Sequence, residues 1–278
     1  MAIRTVTLPD GTAVPALGQG TWRMGEERAR REAEVAALRL GLDLGMTLID
    51  TAEMYGEGGA EEVVGAAIDG RRKEAFVVSK AYPHNAGRAD LKAACARSLS
   101  RLGLERLDLY LLHWRGSVPL AETVAGFRDL QEAGKIARWG VSNFDRDDME
   151  ELWALDGGAG CATDQVLYNA TERGPEYDLL PALQRRGVPL MAYSPIGQGD
   201  LPTRDLTDIA AKHGASPYRV ALAFVLSREG VVAIPKAANE AHLRDNRAAA
   251  DLALDADDRA ALDRAFPPPR SRRPLSMI

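Results

Sequence analysis

TLIDTAEMY, residues 47–55, is a short apolar run that ends on a carboxylate, Asp50, and is followed five residues later by a phenol, Tyr55. Two later stretches repeat the shape: FVVSK, residues 76–80, ends on Lys80, and LDLYLLH, residues 107–113, ends on His113. Each reads as a buried strand whose last residue is ionisable. If the three strands lie parallel and adjacent, Asp50, Lys80 and His113 converge with Tyr55 at one end of a sheet.

Working outward, the pattern alternates strand and helix. An opening hairpin is expected from the alternation of IRTVTL, the turn Pro9-Asp10-Gly11 and the return TAV. A first barrel strand follows at 16–20, and a helix at 27–45, where Ala33, Ala36, Ala37, Leu40 and Leu44 fall on one face. Strands are then expected at 47–50, 76–80, 107–113, 137–142, 162–166, 189–193 and 231–235. The helices between them are expected at 60–69, 88–102, 120–133, 146–155, 179–186, 204–213, 217–228 and 240–249. Eight strand–helix units is the number that closes a parallel (β/α)8 TIM barrel. The glycine-rich turn of a doubly wound sheet is not matched, because GQGTWRMG opens onto a tryptophan and charged residues. A further accessory helix at 254–266, opened by Asp255, precedes an irregular PPPRSRRPL. No linker divides the chain, so residues 1–278 are read as one domain.

With 278 residues, 46% of them hydrophobic, the chain can bury a large core. Its net charge of -5 has no basic or acidic block behind it, so neither a nucleic-acid face nor a membrane anchor is expected. The N-terminal residues carry no apolar leader, and no segment has the length of a membrane span. Two cysteines, Cys95 and Cys161, give no disulfide framework, and four scattered histidines give no metal-ligand spacing. A monomer in the reducing cytoplasm, without metal, is the expectation.

Polar residues stand at nearly every strand end: Asp50, Lys80, His113, Ser142 with Asn143, Asp164 with Gln165, Tyr193 with Ser194, and Lys236. The first three and Tyr55 make an acid–base device. Asp50 keeps Lys80 charged, and the ammonium is expected to draw Tyr55 down from its reference pKa of about 10, so that the phenol can protonate a substrate oxygen. His113 would donate a hydrogen bond to the same oxygen. No side chain supplies a hydride, so a redox cofactor must. Tyr193 could stack on its ring, Ser142, Asn143 and Gln165 could hold a carboxamide, and Lys236 could meet a phosphate at the start of the last barrel helix.

LGQGTWRMG, LIDTAEMYGEGGAEEVVGAAI, VVSK, LDLYLLHW, GKIARWGVSNF, DQVLYN, MAYSPIGQG and IPKAANEAHLRDN together resemble the aldo-keto reductase family. The resemblance implies a (β/α)8 barrel that binds an extended nicotinamide cofactor without a Rossmann motif. It implies a catalytic tetrad at Asp50, Tyr55, Lys80 and His113, and nicotinamide contacts from Ser142, Asn143, Gln165 and Tyr193. It further implies cofactor contacts from Gly20, Thr21, Trp22, Ser194, Ile196, Gly197, Lys236, Ala237, Ala238, Asn239, His242 and Asn246. The cofactor is expected to be NADPH, with NADH possible because Ala237 and His242 stand where many members have serine and arginine beside the 2′-phosphate. The loop after His113 is short and little chain follows Pro269. An open substrate pocket walled by Trp22, Met24, Tyr55, Tyr82, His113 and Trp114 is therefore expected. The implied activity is reduction of a small aldehyde or ketone. The alternatives are a cofactor-sensing regulatory subunit with little turnover, or a lyase using Lys80 as an imine-forming amine.

Overall fold

Alternation at the N-terminus produces a hairpin. In the computed structural model, which describes residues 2–278, β1 (Thr5–Thr7) pairs antiparallel with β2 (Ala13–Pro15), with Val6 opposite Val14. Gly11 makes the turn at φ 87°, in the left-handed region where a side chain is strained. Val6, Leu8 and Val14 face the core. Arg138, just ahead of a barrel strand, donates to Asp10 at 2.6 Å and to Thr12, which fixes the hairpin at the N-terminal end of the barrel strands.

Eight parallel strands follow in sequence order: β3 (Gln19–Gly20), β4 (Leu48–Asp50), β5 (Phe76–Ala81), β6 (Leu109–Leu112), β7 (Trp139–Ser142), β8 (Cys161–Leu167), β9 (Leu190–Tyr193) and β10 (Val231–Ala233). From β4 to β9 every residue is buried except Phe76 at one end and Tyr193 at the other, which is the continuous apolar run of a sheet covered on both faces. The barrel closes where Leu17 bridges Ala233 and Gly20 bridges Lys236. A Cβ on Gly20 would stand 2.7 Å from the carbonyl oxygen of Ile234, so this seam requires glycine.

The helices are α1 (Arg31–Asp43), α2 (Gly59–Ile68), α3 (Arg88–Leu102), α4 (Leu120–Glu132), α5 (Arg146–Ala154), α6 (Leu179–Arg185), α7 (Thr207–Lys212), α8 (Pro217–Leu226), α9 (Glu240–Ala249) and α10 (Ala256–Ala265). Capping boxes of Asp145 with Asp148 and of Asp255 with Asp258 start α5 and α10. The expected helix at 27–45 begins later, because residues Arg28–Arg30 form a 3₁₀ turn. The architecture is the expected (β/α)8 barrel with its hairpin and accessory helix.

The C-terminal tail is irregular, as expected, and is held by side chains. Arg272 pairs with Asp147 at 2.7 Å, Asp145 at 3.2 Å and Asp178 at 3.4 Å, and Leu275 packs on the core. This clamp ties the tail to the start of α5 and to Asp178, just ahead of α6. One arginine thus finds three carboxylates.

Replacing Gly20 by valine should force β3 and β10 apart. A loss of about 1–3 kcal/mol is expected from such overpacking, read as a lower midpoint in chemical denaturation with an unchanged slope.

Candidate active site

Strand register brings the ionisable residues together. Asp50 lies opposite Val78, so Lys80, two residues on, projects from the same face. Lys80 in turn lies opposite Leu111, and His113 is two beyond that. Side chains with period two on three staggered neighbours therefore converge inside the C-terminal end of the barrel. Tyr55 reaches them from the loop after β4, whose backbone is tied to β5 by Thr51 N to Val78 O at 2.9 Å and Glu53 N to Lys80 O at 3.3 Å.

Lys80 is completely buried and spends all three of its donors: on Asp50 Oδ2 at 2.7 Å, on the Thr51 carbonyl at 2.9 Å and on the Tyr55 phenol oxygen at 3.1 Å. Asp50 uses its second oxygen to accept from Gln165 Nε2 at 2.8 Å. Burial acts to lower the Lys80 pKa, but Asp50 and Tyr55 outweigh it and hold the ammonium above the ordinary lysine value.

Tyr55 differs from expectation. Burial raises its pKa above the ordinary tyrosine value; Lys80 acts downward and is opposed by Asp50, so the net shift is up. A nearby ammonium does not by itself make a phenol acidic when a carboxylate neutralises that ammonium and water is excluded. His113 is pushed well below the usual histidine range by burial and then by Lys80, so its ring is neutral at pH 7. Its Nδ1 is buried without a hydrogen-bond partner.

Rings continue outward from the phenol. Trp22, 37% exposed, meets Tyr55 edge-on with centroids 5.0 Å apart; Tyr55 and His113 are 5.8 Å apart, and His113 and Trp114 4.9 Å. Tyr82 meets Trp114 at 5.8 Å and stacks on His84 at 4.8 Å. Met24 was expected on this wall, but it is fully buried in the core and offers no surface to the mouth. Its backbone N–H bonds to the Thr21 carbonyl, and this turn carries the side chain inward.

Beside the ion pair lies a polar group on β7, β8 and β9. Ser142 Oγ donates to the Gln165 carbonyl at 2.7 Å, and Asn143 Nδ2 donates to the His113 carbonyl at 3.0 Å. Tyr193 donates to Asn143 Oδ1 at 2.9 Å. Asn143 holds φ 59°, the left-handed region that non-glycine residues seldom occupy. Thr21 Oγ1 donates to the Asp50 carbonyl at 3.0 Å. Asp164, expected with Gln165 at a strand end, sits mid-strand in β8 and faces the other way: it is buried with Oδ2 unpartnered, whereas Gln165 beside it points inward to Asp50.

The remaining expected cofactor residues run along β9, β10 and the start of α9. Ser194 has φ 46° and accepts from Asn169 Nδ2 at 3.0 Å; Ile196 is half-buried, and Gly197 turns at φ 58°. Lys236 is exposed and bridged to Gly20, Ala237 is buried and Ala238 half-buried. Asn239 caps α9 by accepting from His242 N at 2.8 Å, and its Nδ2 lies 3.0 Å from His242 Nδ1. Asn246 is buried with Nδ2 unpartnered, an orphan donor that suits a polar ligand on this face.

Some contributors carried no sequence signal. Thr51 acts through its backbone carbonyl. Asn169 holds the turn after β8 by accepting at Oδ1 from Thr171 N, Thr171 Oγ1 and Glu172 N, and donates from Nδ2 to the Ser194 carbonyl. The motif DQVLYN contained Asn169 without revealing that task.

No helix is long and apolar enough to cross a membrane among the described residues. The sequence profile of the Aldo/keto reductase family matches residues 16–266. The methylglyoxal reductase YeaE of Escherichia coli K12 is 50% identical over 100% of both chains, and the glyoxal reductase of Bacillus subtilis is 34% identical over 93% of this chain and 91% of its own. An aldo/keto reductase from Klebsiella pneumoniae, solved in complex with NADP and acetate, superposes with a TM-score of 0.97 at 49% identity over 100% of both chains. With an ion pair, phenol and imidazole gathered at the mouth of an eight-stranded barrel and relatives of this closeness, the chain belongs to the aldo/keto reductase family.

Proposed function

We propose that this protein, acting as one domain, is an NADPH-dependent reductase of small aldehydes, 2-oxoaldehydes such as methylglyoxal among them, with Tyr55 as the general acid. The observation that carries this reading is the Lys80–Tyr55 contact. An ammonium nitrogen has no lone pair, so the phenol oxygen must accept from it. The phenolic hydrogen is thereby left free to point at a carbonyl oxygen placed beside it. Because burial raises the pKa of Tyr55, that hydrogen is in place throughout the neutral range.

Roles for the other residues follow from their protonation states. Neutral His113 can share the substrate oxygen as a hydrogen-bond donor without adding charge. Asp50 and Gln165 hold Lys80 in position, and the aromatic rings exclude water from the reacting carbonyl. A bound dihydronicotinamide supplies the hydride that no side chain can provide. Ser142, Asn143, Gln165 and Tyr193 suit its carboxamide and ring, and the line from Gly20, Thr21 and Trp22 through Ser194, Ile196 and Gly197 suits its diphosphate. Lys236, Ala237, Ala238, Asn239, His242 and Asn246 suit its adenosine end. The crystallised relative with NADP and the methylglyoxal and glyoxal reductases support the cofactor and substrate class. Use of Lys80 as an imine-forming amine is disfavoured, because all three of its protons are engaged.

Tyr55→Phe should lower the kcat for methylglyoxal reduction by about 10²–10⁴ while NADPH affinity, read by fluorescence quenching, stays within about twofold. Turnover near that of the unmodified protein would remove Tyr55 from this role. Lys80→Met should be inactive and destabilised by about 3–5 kcal/mol, since Asp50 is left buried and unpaired. The double variant Asp50→Asn with Lys80→Met should regain much of that stability in thermal melts without regaining turnover. Lys236→Met should narrow the ratio of NADH to NADPH dissociation constants by about tenfold, the worth of one charge-assisted contact to phosphate. An unchanged ratio would place the 2′-phosphate elsewhere.

A further inference from the structure

Glu53 lies between Asp50 and Tyr55 and is nearly buried, at 8% exposed. Its Oε1 accepts from the Tyr82 backbone N–H at 2.8 Å and from Asn85 Nδ2 at 2.8 Å, and Oε2 pairs with Arg97 at 3.5 Å. The loop that carries the proposed acid is thus joined to the turn that follows β5. That turn is itself compact: Pro83–Asn85 is 3₁₀, with Pro83 fixing its first residue. It supports the loop after β6 directly, since a Cβ on Gly116 would stand 2.7 Å from Pro83 Cβ. One carboxylate therefore sets Tyr82 through its own backbone amide, and Trp114 through the Pro83–Gly116 packing and the Tyr82–Trp114 ring contact.

We propose that Glu53 is a positioning residue that fixes the Tyr82–Trp114 side of the pocket, and that it thereby determines the preference for carbonyl substrates carrying a flat apolar group over the smallest ones. This rests on the reductase reading above. The chemistry is additive to that of the tetrad. Tyr55, oriented by Lys80, and His113 address the carbonyl oxygen that every substrate shares, whereas the two rings can contact only what extends beyond it. Removing Glu53 leaves the Tyr82 N–H and the Asn85 amide without their acceptor and frees the turn to shift. Substrates too small to reach the rings have nothing to lose from that shift.

The test compares kcat and KM for 4-nitrobenzaldehyde and for methylglyoxal in the unmodified protein and in Glu53→Ala, Glu53→Gln and Asn85→Ala. In Glu53→Ala the KM for the aryl aldehyde should rise about five- to tenfold, the worth of a charge-assisted hydrogen bond. Its kcat, the KM for methylglyoxal and NADPH affinity should all stay within about twofold. Glu53→Gln should restore most of the aryl KM, because an amide oxygen can still accept from Tyr82 N, and Asn85→Ala should show a smaller rise of the same kind. Should Glu53→Ala fail to fold, the split in Asn85→Ala decides. An unchanged aryl KM, or an equal loss for both substrates, would overturn the proposal while leaving the reductase reading intact. Absence of turnover with any carbonyl in the unmodified protein would overturn that reading and this inference with it.

Discussion

The buried ion pair of Lys80 and Asp50 is the constraint on which the site depends. Transferring either charge from water into a barrel interior costs several kcal/mol, and attraction alone recovers this only when the remaining hydrogen-bonding capacity is used. Here it is used. Lys80 fills its three donors with Asp50, the Thr51 carbonyl and Tyr55, and Asp50 accepts from Gln165 as well. The pair therefore orients the phenol, and through Gln165 it connects to Ser142 and Asn143 on the opposite arc of the barrel.

That arrangement gives the tyrosine a different character from the one a bare lysine neighbour suggests. Exclusion of water favours the neutral hydroxyl above all, and the carboxylate opposes the ammonium's pull on the phenol. What the ion pair supplies is direction. By donating to the phenol oxygen it determines which way the phenolic hydrogen is free to point, and neutral His113 adds a second donor without a second positive charge. A polar site is thus held with its protons in place before substrate arrives, which is where preorganisation has most effect.

Around this centre, the backbone accepts strain where function concentrates. Asn143 and Ser194 both hold positive φ just beyond strand ends, and each is pinned by neighbours: Asn143 by His113, Ser142 and Tyr193, and Ser194 by Asn169. Such conformations persist only where several contacts over-determine them. The tail adds a further tie, since Arg272 grips Asp145, two residues after Asn143, and Asp178, so the tail is anchored to the same turn.

Much of this was legible in the chain. Runs of four to seven residues separated by amphipathic helices specify a parallel sheet covered on both faces, and eight such units is the number that closes it into a barrel. Ionisable residues at the ends of three consecutive runs then mark its reactive end. That Asp50, Lys80 and His113 share a face was decided by the register between β4, β5 and β6, since strand periodicity is local to each strand. Tertiary structure alone decided the rest. The upward shift of Tyr55 arises from burial and from the balance of two opposite charges. Met24 is turned into the core by a backbone bond to Thr21, Arg272 meets carboxylates from residues more than ninety positions away, and Glu53 joins two loops through a backbone amide. Each of these depends on distances between segments remote in sequence or on main-chain groups, and residue type carries no record of either.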